Sequence, residues 1–151
     1  MRRVVVTGMG IVSSIGNNTQ EVTASLHAGK SGITRAERLA ELGFRSQVQA
    51  APTLRPEEVV DRRAMRFHGG GTAWNHVAMD QAIVDSGLAP DEVSHERTGL
   101  IMGSGGPSTR AIVEAADIAR AKGPKRVGPF AVPKSMSSTA SATLSTWFKI
   151  K

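Results

Sequence analysis

Hydrophobic positions along this 151-residue chain fall into short uninterrupted runs and longer stretches with helical spacing. Val4, Val5 and Val6 form the first run, three β-branched residues apolar on both faces. That pattern predicts a strand covered by helices on both sides, and the centre of the core. Gly8 and Gly10 follow and allow a tight turn where the backbone leaves the strand. Gly99-Leu100-Ile101-Met102 reads as a second buried strand, ending in Gly103-Ser104-Gly105-Gly106, and Trp147-Phe148-Lys149-Ile150 as the approach to a third.

Between the runs the spacing is helical. Asn18 or Thr19 caps a helix reaching about Ala28, with Val22, Ser25, Leu26 and Gly29 on one face and Gly29 as its stop. Residues 31–53 keep no period and carry several charges, which predicts a surface excursion with a short helical turn at 36–42. Pro56-Glu57-Glu58 starts a helix on which Val60, Ala64 and Phe67 form an apolar stripe and Arg62, Arg63 and Arg66 a basic one. His68 and three glycines end it. A largely buried helix follows over 72–86, with Trp74, Ala78 and Ala82 in one line, Met79 and Ile83 in the next, and Gly87-Leu88-Ala89-Pro90 as its C-terminus. Residues 91–97 read as a polar connection. Ser108 or Thr109 caps a helix from Arg110 to about Lys122, turning Ile112, Ala115, Ala116 and Ala119 inward, and Pro133 opens a short helix reaching about Leu144. The order β-α, irregular, α-α-β-α-α-(β) points to a layered α/β fold in one domain.

Composition narrows the chemistry. There is no cysteine, so disulfides, thiolate-metal sites and a cysteine nucleophile are excluded within these residues. Lysine and arginine outnumber aspartate and glutamate by 19 to 13, which favours an acidic partner. No apolar run approaches a membrane span or a signal peptide, and a cytoplasmic protein is expected.

Individual motifs are weak. Gly8-Met9-Gly10 begins a dinucleotide fingerprint, but its third glycine position holds Ser13, and Lys30 stands about 20 residues on, where an acid is needed. Gly103-Ser104-Gly105-Gly106 could offer N–H groups to an anion, yet lacks the Gly-Lys-Ser/Thr ending of a phosphate loop and reads as a close-packed turn. His27, His68, His76 and His95 show no metal spacing; His76 with Asp80 at i, i+4 fits a capped or solvated helix face. The basic residues form two tracts, Arg62, Arg63, Arg66 and Lys122, Lys125, Arg126, which make a patch only if the fold brings them together.

Taken in order, these segments resemble the amino-terminal portion of a β-ketoacyl-acyl carrier protein synthase, closest to the synthase I branch. The resemblance rests on residues 4–16, Gly29-Lys30-Ser31-Gly32-Ile33, residues 61–67, residues 99–106, Val127-Gly128-Pro129-Phe130 and residues 133–138, and covers essentially the whole chain. It implies a thiolase-type fold, two βαβαβαββ halves stacked as α-β-α-β-α layers and paired as a homodimer. Residues 1–151 would form most of the first half, one incomplete ketoacyl synthase domain. The implied activity is decarboxylative condensation of an acyl thioester with malonyl-acyl carrier protein in fatty-acid biosynthesis. A cysteine at a helix N-terminus would accept the acyl group, assisted by two histidines and a lysine. These four family positions lie beyond Lys151 and none of the four histidines matches them, so no catalytic residue is assigned and the 151 residues alone are expected to be inactive.

By the same resemblance, Arg62, Arg63 and Arg66 match a carrier-docking helix, with Lys122 and Lys125 at or near a second basic patch and Arg126 beside it. Gly106 and Met136 match acyl-pocket positions, Met136 reaching across the dimer. Pro107 departs from the glycine of close relatives. No metal or resident cofactor is implied, since phosphopantetheine arrives on the carrier, and neither nucleic acid nor membrane is an expected partner. Two other readings compete: a non-catalytic carrier-binding fragment or pseudoenzyme module, and a basic nucleic-acid-binding domain, which rests on net charge alone and lacks interleaved aromatics.

Overall fold

The structure is a computed structural model describing residues 3–106 and 108–151; Arg2 of the basic start and the departure at Pro107 lie outside the described residues. The elements run α1 (Thr19–His27), β1 (Ile33–Arg35), α2 (Glu37–Glu41), β2 (Val48–Ala50), α3 (Pro56–Val59), α4 (Arg62–Met65), α5 (Gly70–Ser86), α6 (Pro90–Val93), α7 (Thr109–Lys122), a 3-10 turn (Pro124–Arg126), α8 (Ala131–Ser135) and α9 (Thr139–Trp147). They divide into two compact units, one of residues up to 55 with 78–86, the other of 56–77 with 87–151.

In the first unit the opening stretch does not form the expected strand. Val4 and Val6 are 90% and 81% exposed, and the segment has no ladder partner among the described residues. A run apolar on both faces becomes a covered strand only where neighbouring strands pair with it. The chain instead lies against α5. Met9 N donates to Asp85 Oδ2 at 2.9 Å and Ile11 N to Gln81 Oε1 at 3.1 Å. The fit is geometric: two residues of extended chain advance about 6.7 Å, and four residues of helix about 6 Å, so alternate amides meet side chains one helical turn apart. Gly8 and Gly10 permit this approach and are not the turn residues expected. Neither has a positive φ. A Cβ on Gly8 would lie 2.5 Å from Ser86 N, and one on Gly10 would overlap the Ala78 carbonyl oxygen.

Helix α1 forms as expected, with Asn18 as its N-cap accepting from Glu21 N at 2.8 Å and Gly29 left-handed after it. Glu21 reaches back to Asn17 N at 2.8 Å. Val22 and Ser25 are buried, whereas Leu26, placed on the same face by spacing, is 66% exposed. Asn18→Ala should therefore cost about 1 kcal/mol in a urea denaturation series. The surface excursion contains α2 inside 36–42 as expected, and also an antiparallel hairpin the pattern did not reveal, pairing Ile33 with Ala50 and Arg35 with Val48. Both strands are exposed throughout, so no alternation marks them.

In the second unit the helix expected from Pro56 is two. Asp61 has an extended ψ of 136° and accepts from Arg63 N at 2.7 Å, ending α3 and capping α4. Val60 and Ala64 are buried, but Phe67 stands 42% exposed. Helix α5 begins at Gly70, so glycines expected as a flexible stop form its first turn; only Ala73 and His76 along it are fully buried. Residues 91–97 are not all connection, because Pro90–Val93 make α6 and bury Val93. The second strand is also absent. Ile101 is 97% exposed and residues 99–102 pair with nothing among the described residues.

Ser108 caps α7, whose Ala115, Ala116 and Ala119 are half-buried while Ile112 is 43% exposed. The helix expected from Pro133 is interrupted at Met136, where ψ is 135°, giving α8 and α9. Residues 147–150 finish α9 and begin no strand. Ile150 N returns to Ser145 O at 2.8 Å and Lys149 takes a left-handed φ of 55°, a helix-closing loop. Helix α7 packs on the 3-10 turn and α8, and α8 on α9. The unit's interior centres on Leu144, which is 0% exposed, with Val60, Ala64, Ala73, Val93 and Ala140 also buried.

Candidate functional site

Gly69 marks the crossing of three segments in the second unit. A Cβ there would sit 2.7 Å from the Lys134 carbonyl oxygen and 2.9 Å from Ser108 Cβ, so α8 and the cap of α7 close over the start of α5. Beside this crossing lies a cavity of about 190 Å³ whose walls include Gly69, Ser108, Gly106, Met136 and Ala140. The two residues expected in an acyl pocket, 30 positions apart in the chain, thus share one small cavity. Gly106 has open space where a Cβ would stand, and Ser104 Oγ donates to its carbonyl at 2.7 Å. The glycine stretch around it is exposed and is not the close-packed turn expected.

A larger cavity of about 570 Å³ shares Gly69, Ser108 and Lys134 and reaches Met65, His68 and Trp74. Here the structure departs from the sequence reading of the histidines. His76 is buried, not on a solvated face, and its Nδ1 lies 2.9 Å from Nε2 of the equally buried His68. Burial and the neighbouring His76 lower the His68 pKa from 6.5 to about 4. Trp147 and Phe148 pack on His76 with ring centroids 5.5 and 5.2 Å away. The pair spans a helix start at i, i+8, so helical spacing on one element could not have signalled it. Among the described residues no group of three His, Cys, Asp or Glu could hold a metal ion.

The segments carrying the two basic tracts touch through one pair of aromatics. Arg62, Arg63 and Arg66 are exposed on and just after α4, which Asp61 caps. Lys122 ends α7, while Lys125 and Arg126 lie in the 3-10 turn. Lys122 and Arg126 line one groove with Ile118. Phe67, next to Arg66, packs edge-on against Phe130, four residues after Arg126, with centroids 5.1 Å apart and planes at 88°. That contact joins the segments that carry the tracts, and none of the six cations is ion-paired among the described residues. Exposed, unpaired cations attract an acidic surface and speed encounter with it. No helix among the described residues is long and apolar enough to cross a membrane.

Comparison with known proteins shows the family of the chain. The family described as "Beta-ketoacyl synthase, N-terminal domain" matches residues 1–151. The chain is 47% identical to the 3-oxoacyl-[acyl-carrier-protein] synthase 1 of Haemophilus influenzae over its whole length, which is 37% of that protein. It is 48% identical to the protein of that name from Escherichia coli K12, over 99% of this chain and 37% of the relative. The chain therefore spans little more than a third of these curated relatives. Among solved structures, a β-ketoacyl synthase from Burkholderia phymatum superposes with TM-score 0.82 at 27% identity, covering all of this chain and 38% of that one. A ketosynthase solved with its acyl-carrier protein, AntDE:AntF, shares the fold at TM-score 0.73 and 17% identity, over 95% of this chain and 38% of that one. The fold class is thus that of the β-ketoacyl synthases.

Proposed function

This chain belongs to the β-ketoacyl synthase family, and from that premise we propose that the protein containing it is a 3-oxoacyl-acyl carrier protein synthase of fatty-acid biosynthesis. Identity of 48% to enzymes of that name carries the reading. The reaction proceeds in two stages. An enzyme thiolate attacks the acyl thioester and expels the carrier thiol; malonyl-carrier then loses carbon dioxide, and the resulting enolate carbon attacks the acyl-enzyme, forming the carbon–carbon bond and releasing the thiolate. The 151 residues contain no cysteine, so the nucleophile lies elsewhere in the protein and these residues alone do not catalyse.

Their part is accessory. Arg62, Arg63 and Arg66 with Lys122, Lys125 and Arg126 receive the acidic carrier, which delivers the acyl group on its phosphopantetheine arm. Gly106 and Met136 wall the space for the acyl chain. The protein works as a cytoplasmic homodimer and needs no resident cofactor.

The test uses the full-length protein with Arg63→Glu and Arg66→Glu together. Affinity for acyl carrier protein at low salt should fall about tenfold or more, and its salt dependence should flatten. Unchanged affinity would remove the docking role, and failure to form a 3-oxoacyl product from malonyl-carrier with the unmutated full-length protein would remove the activity itself.

A further inference from the structure

Two polar residues in the first two turns of α5 are not explained by the helix that carries them. Thr72 and Asn75 stand three positions apart, on one face, and both are half-buried. Asparagine is a poor helix former, and α5 holds it within a continuous run of 17 residues. Threonine in a helix can return its hydroxyl to the carbonyl one turn back. Among the described residues no hydrogen bond engages either side chain. Both line the cavity of about 190 Å³ that holds Gly106 and Met136, and so does the exposed Ser137, whose hydroxyl is equally unbonded. The other two serines there are occupied: Ser104 Oγ donates to the Gly106 carbonyl, and Ser108 Oγ accepts from Ala111 N.

We propose that this cavity selects an acyl chain carrying an oxygen function near its far end, with Asn75 and Thr72 as the specificity-determining residues. The inference rests on the reading that Gly106 and Met136 wall the acyl space, and it says what kind of chain that space takes. Carbon and oxygen find different walls there. Met136, whose thioether chain adapts to shape, and the buried Ala140 offer apolar surface, while Gly106 leaves open the space a side chain would fill. Asn75 supplies an amide that donates through nitrogen and accepts through oxygen, and Thr72 a hydroxyl that does both.

The unbonded groups decide between chains. A chain entering the cavity displaces the water that otherwise satisfies Asn75 and Thr72. A saturated chain gives nothing in exchange, and the amide and hydroxyl lose their hydrogen bonds. A hydroxyl or carbonyl on the chain restores them. Sites that hydrogen-bond a substrate oxygen reject the analogue lacking it more strongly than an apolar pocket discriminates by size. No bond forms or breaks at the cavity and neither residue moves a proton. The contact is the same in ground and transition states, so its effect falls on KM and leaves kcat unchanged.

The test assays the full-length protein with acyl-carrier substrates of about four to ten carbons, each saturated and each with a hydroxyl on its terminal carbon, a series that moves the oxygen stepwise along the cavity. At one length or more the hydroxylated chain should have a kcat/KM about tenfold or more above its saturated counterpart, through KM. Asn75→Leu, of similar size without the amide, should abolish that preference, and Thr72→Val, which removes only the hydroxyl, should reduce it. Preference for the saturated chain at every length, or a preference that both variants leave unchanged, overturns the inference while the condensation reading stands. Should no acyl-carrier react, that reading fails instead, and titration calorimetry with hexanoate and 6-hydroxyhexanoate decides the cavity by itself. Tighter binding of 6-hydroxyhexanoate to the unmutated protein but not to Asn75→Leu supports the inference, and equal binding of the two sinks it.

Discussion

Alanine in place of Gly10 is expected to destabilise the protein by about 3 kcal/mol, a large effect for one methyl group. The added Cβ would overlap the carbonyl oxygen of Ala78 and lie 2.8 Å from Ala82 N, both backbone atoms inside a continuous helix. No side chain can rotate away to make room. The segment must lift, and lifting it breaks the bonds from Met9 N to Asp85 and from Ile11 N to Gln81, each contributing about 1 kcal/mol. Gly70→Ala provides the control. Nothing lies within 4 Å of its added Cβ and its φ is negative, so alanine there should be neutral or stabilising by up to about 1 kcal/mol. Urea denaturation of the two variants should separate their midpoints clearly, and coincident midpoints would mean that the close approach does not hold the segment.

The second large effect is at Leu144. Its side chain is 0% exposed and it is the largest fully buried residue described, so Leu144→Ala should cost about 2–5 kcal/mol through lost burial and a residual cavity. Val132→Ala removes apolar carbon from the same unit at a position 63% exposed and should change stability by no more than about 0.5 kcal/mol. A Leu144→Ala variant as stable as Val132→Ala would show that α9 is not the centre of this unit.

Local signals in the sequence survived into the structure where they depend only on nearby backbone. The Asn18 cap, the stop at Gly29, the end of α5 at Gly87 and the cap at Ser108 each concern a few consecutive residues, and each is found. The runs at 4–6 and 99–102 behave differently. Their pattern describes a strand inside a sheet, and pairing is a property of partners that no single segment carries. Breaks inside helices were equally hidden. Asp61 and Met136 interrupt stretches whose apolar spacing continues across them, because spacing records which face is apolar and not whether the backbone bends between turns.

The candidate site was legible only through resemblance to a family. Gly106 and Met136 carry no chemistry that would single them out in an isolated sequence, and the contact of Phe67 with Phe130, which joins the segments carrying the two basic tracts, has no signature in spacing. The histidine pair escaped for the opposite reason. His76 had an attractive local partner in Asp80, while its actual partner sits across a glycine turn.

The seating of the amino-terminal segment on α5 also fixes an order of events during synthesis. Met9 and Asp85 are 76 positions apart, so the amides at 9 and 11 must wait for the end of that helix to be translated. At about 5–20 residues per second the wait is about 4–15 s, long compared with the roughly microsecond formation of a local helix such as α1. A segment translated well before α5 is therefore among the last of its unit to settle. The amides at 9 and 11 spend that interval bonded only to water, and a variant that delays α5 should lengthen it without altering a single contact of the finished fold.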